Sequence, residues 1–156
     1  MDSVPTPIEQ AAQLLRELPI LRTKLARALF CSPETCETVL AEVIKFLTLA
    51  SECTDTQITP SVKVDLAWHE FLLFTRRYFD FCERNYGKMI HHEPSDNRLK
   101  NSAQYAETLR CYRKRFGQPP REYWAADRQT SQPAVDVDQD HDGSRSAHCG
   151  NCESDS

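Results

Sequence analysis

Apolar side chains recur at intervals of three and four residues along most of the chain, and this spacing restricts the fold more than any other feature. It is typical of helices that bury one face, and no segment shows the convincing alternation of a half-buried strand. Four helical segments can be distinguished. They span residues 8–29, a stretch that begins after Ser32-Pro33-Glu34, residues 62–86, and a stretch from Asp96 or Asn97 to Gly117. The sequence therefore predicts an all-α fold, a compact bundle of four to five helices.

Proline and glycine mark the ends of these segments. Ser32 and Pro33 supply an N-cap hydroxyl and a proline at the first helical position. Gly87 and Gly117 stand where the third and fourth segments are expected to end. Pro19 interrupts the first segment, so we expect a kink there, or two short helices that meet.

The acidic charge is concentrated at the C-terminal end. The 156 residues carry a formal net charge of −4, of which residues 127–156 contribute −5 and residues 1–126 contribute +1. A segment this acidic, with few and small apolar side chains, buries too little surface to offset the entropy of ordering. We therefore expect a helical domain over residues 1–126 and a disordered acidic tail over residues 127–156.

The composition also excludes several classes of protein. No stretch approaches the roughly 18 apolar residues of a membrane span, and the first residues lack the apolar region of a secretory signal. We expect a cytoplasmic protein whose seven cysteines are reduced. Cys36, Cys82 and Cys111 fall at or near apolar helical positions and are expected in the core, whereas Cys31 and Cys53 lie close to helix ends.

Residues 62–86 carry the main chemical signal. If they form one helix, an aromatic face that includes Trp68 and Tyr78 lies opposite a narrow charged stripe. Asp65 and His69 are four residues apart on this stripe, so the carboxylate can hydrogen-bond one imidazole nitrogen and orient the ring. Such a pair can orient a metal-binding or general-base histidine, and it is equally typical of a surface ion pair.

The same region resembles the helical domain of glycine-rich domain-containing proteins, a family of plants with small bacterial relatives. The resemblance covers residues 60–125 and has two departures. Phe71 stands where the family often has a second histidine, and residues 118–122 lengthen the segment before Tyr123-Trp124. It implies a helical fold and a shared motif, and it supplies no activity. Its residues are Val64-Asp65-Leu66-Ala67-Trp68-His69, Tyr78, Cys82, Gly87, Ile90-His91-His92-Glu93, Thr108, Tyr112, Phe116-Gly117 and Tyr123-Trp124.

The path of the chain after residue 86 decides whether His92 joins Asp65 and His69. A continuous helix rises about 25 Å from His69 to Tyr86, and the six links from Tyr86 to His92 reach at most about 20 Å. The three side chains therefore meet only if residues 87–92 run almost straight back along the helix. The favoured alternative places a histidine of this segment farther along the charged stripe. There His91 or His92 lies near Arg76, Asp80 and Glu83 and bonds to one of the two carboxylates.

The acidic tail contains two patterns that resemble metal sites. Residues 138–143 match the first half of a calcium-binding loop, but Cys149 stands where its final glutamate is required. Cys149 and Cys152 form a Cys-x-x-Cys pair near His141 and His148, and four such side chains are enough for a tetrahedral zinc site. An inert or redox-labile exposed pair is the other interpretation.

Two functions follow from these observations. The leading expectation is a non-catalytic domain that acts through contacts with another protein and has some capacity to bind metal. The alternative is a metal-dependent enzyme or sensor that uses Asp65 and His69 with His91 or His92. In both cases the metal is zinc or another transition metal, and the candidate ligands are Asp65, His69, His92, Cys149 and Cys152.

Nucleic-acid binding is disfavoured. One basic cluster, over residues 110–121, is interleaved with Tyr112 and Phe116, as phosphate contacts and base stacking would require. Both aromatic residues fall on the expected buried stripe, however, and the helical domain carries little net charge. A solvated helix face accounts better for the cluster.

Overall fold

The computed structural model describes residues 4–124, which form seven helices and no strand. The predicted all-α fold is therefore confirmed, and the number of helices exceeds the expected four to five because two segments divide and a short helix follows them. The predicted tail over residues 127–156 lies outside the described residues. The helices are α1 (Pro7–Glu17), α2 (Pro19–Leu29), α3 (Pro33–Glu52), α4 (Val62–Leu72), α5 (Thr75–Tyr86), α6 (Arg98–Phe116) and α7 (Arg121–Trp124). None of the helices in residues 4–124 combines the length and the apolar character that a membrane crossing requires.

The helix ends follow the local signals, except that Ser32 precedes α3 as predicted without its hydroxyl making a capping hydrogen bond. Pro19 is the first residue of α2, so the first predicted segment consists of two helices that meet at Leu18. Thr6 caps α1 in a reciprocal capping box with Glu9, a hydrogen-bonding arrangement that lowers the pKa of the Glu9 carboxyl. Gly87 ends α5 in the left-handed conformation, with φ of 66°, which glycine adopts without steric cost.

Helix α3 is the centre of the bundle. It is buried over most of its circumference, and α1, α2, α4 and α6 all pack against it. The acidic residue among its buried side chains, Glu42, accepts hydrogen bonds from Tyr112 and Trp124 at 2.7 Å each and pairs with Lys45 at 2.8 Å. These contacts satisfy the buried carboxylate and attach α6 and α7 to α3.

The predicted continuous helix over residues 62–86 is wrong, because the chain turns between Leu72 and Thr75. The turn contains neither proline nor glycine. It brings the ring of Phe71 to 5.1 Å from that of Tyr78 and 5.6 Å from that of Phe81, measured between ring centroids. Residues ten apart on a straight helix are separated by about 15 Å along its axis. Helix α5 therefore folds back towards α4, and aromatic packing across the turn stabilises this arrangement.

The cysteine predictions hold within the described residues. Cys36, Cys82 and Cys111 are buried, and Cys31 and Cys53 are partly exposed near the ends of α2 and α3. Burial raises the pKa of the Cys36 thiol to about 11 and also raises the pKa of the Cys82 thiol. These two thiols are therefore protonated at neutral pH.

Candidate metal centre

Three potential metal ligands come from two places in the chain. Asp65 and His69 lie one turn apart on α4, which begins where the Ser61 hydroxyl accepts a hydrogen bond from the Val64 amide. His92 lies in the segment between α5 and α6. The structure brings these three predicted residues into one cluster, in which each offers a ligand atom.

The ligand atoms of the cluster are in direct contact. The Nε2 atom of His92 lies 2.7 Å from Oδ1 of Asp65 and 3.0 Å from Nε2 of His69, and Nε2 of His69 lies 3.5 Å from Oδ2 of Asp65. Ligand atoms around a tetrahedral zinc ion, at about 2.0–2.2 Å from the metal, lie about 3.3 Å from one another. Both oxygens of Asp65 take part in these contacts, and one ligand atom from each residue lies within 4.8 Å of the other two, so the three residues form a triangle that a single ion can bridge.

Linear hydrogen bonds do not explain all three contacts at once: each Nε2 atom can donate its proton to one oxygen of Asp65, but the two Nε2 atoms then face each other at 3.0 Å without a hydrogen bond between them. Each imidazole Nε2 carries either one proton or one lone pair, directed in the plane of the ring. If Nε2 of His92 donates its proton to Asp65, it has no lone pair left for His69. If it is unprotonated, its lone pair faces the Asp65 carboxylate at 2.7 Å. A cation at the centre of the triangle would interact favourably with all three groups, because the carboxylate and both imidazoles can then present lone pairs to it.

A buried hydrogen-bond chain positions His92. The Trp68 indole donates to the Tyr78 hydroxyl at 3.1 Å, and the Tyr78 hydroxyl donates to the carbonyl oxygen of Ile90 at 2.6 Å. The Trp68 ring also packs edge-on against the His92 ring, with 4.5 Å between centroids. Burial raises the pKa of Tyr78 well above its usual range, so this hydroxyl stays a donor. The chain therefore fixes the backbone two residues before His92.

The favoured sequence-based position for this histidine is wrong. Within residues 4–124 neither His91 nor His92 forms a hydrogen bond or ion pair with Asp80 or Glu83, and His92 instead contacts Asp65 and His69 on α4. His91 is exposed and lies outside the cluster, although it lines the same groove. Of the two adjacent histidines, only His92 is a candidate ligand.

The cluster opens onto a groove of about 890 Å³ between α4, the segment after α5, and α6. His69 is the most exposed of the three ligands, with 48% of its side chain accessible, and His92 is the least exposed at 14%. Trp68 and Ile58 contribute apolar surface to the groove, and Lys88 and Arg98 contribute positive charge. An ion at the cluster would therefore be reachable by a small polar molecule.

The remaining predicted ligands, Cys149 and Cys152, lie outside the described residues, as do the calcium-like pattern over residues 138–143 and His141. Sequence reasoning also missed the part that Tyr78 plays, because Trp68 and Tyr78 were assigned to one straight helix. Both residues lie on the predicted aromatic face, and a prediction that placed the turn correctly would have brought them into contact.

The fold and the cluster define a small all-α protein with a candidate centre of two histidines and one carboxylate. A family model described as UCP032817-like matches residues 15–129, and the chain belongs to this family. Searches of curated proteins and of solved structures returned no significant match. The matched residues include the whole candidate centre. The family match does not address the resemblance to glycine-rich domain-containing proteins, which stays a prediction.

Proposed function

We propose that this chain binds one divalent transition-metal ion, zinc in the first instance, through Asp65, His69 and His92, and that it acts as a metal-dependent enzyme. The observation that carries the proposal is the convergence of Asp65, His69 and His92, each with a ligand atom within 4.8 Å of the other two, through contacts that linear hydrogen bonds do not all explain. Two histidines and one carboxylate form a ligand set of catalytic zinc and of non-haem iron(II).

The number of protein ligands supports an enzyme rather than a structural metal site. Structural zinc sites are closed by four protein ligands, whereas catalytic sites keep a position open for water or substrate. Three ligands at the wall of a groove match the second pattern. The buried Trp68–Tyr78–Ile90 chain also favours an enzyme over a sensor, because it holds His92 in place before any ion binds.

The metal proposal is tested on full-length protein purified without an affinity tag. We expect elemental analysis to find about one zinc or iron ion per chain after reconstitution, and His69→Ala to lower the affinity at least about 100-fold. His91→Ala is the matched control, since it removes the neighbouring histidine that lies outside the cluster. Equal affinity of the two variants, or no bound metal in the parent protein, would refute the proposal.

The predicted zinc site of the tail requires its own control. The double variant Cys149→Ser with Cys152→Ser removes both tail thiols and leaves the helical domain unchanged. We expect this variant to retain the ion whose affinity depends on His69. If the ion is lost with the tail cysteines instead, the helical cluster is not the metal site.

Contact with another protein is the second candidate function, and Phe30 favours it. Its side chain is 97% exposed, and its backbone adopts a left-handed conformation with φ of 49° that is uncommon for an aromatic residue. Backbone strain of this kind is concentrated at ligand-binding and switch regions of proteins. We expect Phe30→Ser to weaken co-purification of a partner without changing metal content, and unchanged co-purification would count against this surface.

We place this function in the cytoplasm, as the chain's composition predicts, and we do not propose nucleic-acid binding. Two arginines of the basic cluster are engaged by carboxylates, Arg110 by Glu107 and Arg115 by Glu52. This pairing supports the interpretation of the cluster as a solvated face.

A further inference from the structure

Cys53 and Cys111 come together although 58 residues separate them in the sequence. Cys53 is the C-cap residue of α3, and Cys111 lies in the second half of α6. The Cys53 thiol donates to the Cys111 sulfur, and the two Sγ atoms are 3.2 Å apart. A disulfide needs a sulfur–sulfur distance of about 2.05 Å, so the two sulfurs must approach each other by about 1.2 Å for the bond to form.

The two thiols differ in accessibility. Cys53 is half-buried and lines the groove beside the candidate metal centre, whereas Cys111 is only 7% exposed. Burial and the contact with Cys53 raise the pKa of the Cys111 thiol to about 11. A reagent in the groove therefore reaches Cys53 first, and Cys111 is positioned to react in a second step.

The surroundings of Cys111 contain one charge of each sign. The Arg110 guanidinium lies 3.9 Å from the Cys111 sulfur, and the Glu107 carboxylate, which pairs with Arg110, accepts from the Cys111 thiol at 3.7 Å. Glu107 is thus positioned to accept the proton that Cys111 loses on reaction. The arginine offsets the negative charge of the thiolate that forms.

We propose that Cys53 and Cys111 are a site of reversible oxidation to an intramolecular disulfide. With a low-molecular-weight disulfide such as oxidised glutathione, the Cys53 thiolate attacks one sulfur and releases one glutathione thiolate, leaving a mixed disulfide. The Cys111 thiolate then attacks the Cys53 sulfur of that mixed disulfide and releases the second glutathione. Two protein thiols are oxidised, one glutathione disulfide is reduced to two thiols, and the bond joins the end of α3 to α6.

The test uses reduced full-length protein, equilibrated with mixtures of reduced and oxidised glutathione in the presence of EDTA, then alkylated and digested with trypsin. Cys53 falls in the tryptic peptide 46–63 and Cys111 in the peptide 111–113. We expect the linked pair of peptides to be the main product of Cys53 under oxidising conditions and to disappear after reduction with dithiothreitol. Recovery of Cys53 mainly as a glutathione adduct, as a disulfide with another cysteine, or as unreacted thiol would overturn the proposal.

Variants and thermal melting supply a second readout. Cys31→Ala is the matched control, a partly exposed cysteine near another helix end, and we expect the linked peptides to form in it as in the parent protein. Oxidation closes a loop of 58 residues and should raise the melting temperature of the parent protein by roughly 5–15 °C. Cys53→Ser should abolish this rise. If the melting temperature of Cys53→Ser rises by the same amount on oxidation, the rise comes from other cysteines and the proposal is refuted.

Discussion

Removing the Tyr78 hydroxyl tests how residues 87–92 are held against α4. In Tyr78→Phe the ring remains in its packed position, but the Trp68 indole loses its acceptor and the Ile90 carbonyl loses its donor. Each buried polar group left without a partner costs about 1–2 kcal/mol. We therefore expect the free energy of unfolding to fall by roughly 2–4 kcal/mol.

Tyr86→Phe is the matched control, because Tyr86 lies on the same helix and loses the same atom. Its hydroxyl makes only long contacts, 3.4 Å to the Ile44 carbonyl and 3.5 Å to the Thr48 hydroxyl. The Thr48 hydroxyl already donates to that carbonyl at 2.9 Å, so no buried group loses its only partner. We expect the free energy of unfolding to fall by less than about 1 kcal/mol in this variant.

The assay is equilibrium unfolding in urea, followed in parallel by tryptophan fluorescence and by far-ultraviolet circular dichroism. Circular dichroism is needed because Tyr78→Phe alters the surroundings of Trp68 directly. Zinc affinity of the folded variant gives a separate readout, with an expected loss of about tenfold, because Ile90 precedes the proposed ligand His92 by two residues. Equal urea midpoints for Tyr78→Phe and Tyr86→Phe would show that the buried chain does not stabilise this region.

Two further predictions concern the core. Glu42→Ala leaves Tyr112, Trp124 and Lys45 without their shared acceptor and should lower the free energy of unfolding by about 3–5 kcal/mol. The control Glu52→Gln, on the exposed end of the same helix, should lower it by less than about 1 kcal/mol. Urea unfolding measures both variants, and similar losses would contradict the reasoning. Alkaline pH should also destabilise the fold. Burial raises the pKa of Tyr78, Tyr86 and Tyr112, so above about pH 10 the unfolded chain loses protons that the folded chain keeps. The free energy of unfolding therefore falls by up to about 1.4 kcal/mol for each of these groups and each pH unit. Phenolate absorbance that rises together with unfolding would confirm this, and full titration of the native protein near pH 10 would refute it.

Side-chain burial shows where helical periodicity stops being informative. Helical spacing places Leu99 and Phe79 on the apolar stripes of their segments, yet they are 86% and 48% exposed. Each lies near the apolar face of its helix, but the position of that helix against its neighbours decides whether the face is covered. Periodicity identifies the face of an isolated helix and contains no information about which part of it meets another element.

The sequence by itself determined the helical class, most helix ends and the residue types of the candidate centre. These depend on interactions within a few residues, such as the Thr6–Glu9 capping box, proline at the first position of α2, and the left-handed Gly87. The pairing of Asp65 with His69 is local in the same sense.

Only the tertiary structure decided the turn between α4 and α5, and with it the identity of the third candidate ligand. No proline or glycine marks that turn; it is stabilised by packing of Phe71 against aromatic residues that follow it by seven and ten positions. That packing energy exists only once the helix has folded back, so no local pattern reports it. The same reversal carries His92 to Asp65, and the contact between Cys53 and Cys111 likewise depends on how α3 meets α6.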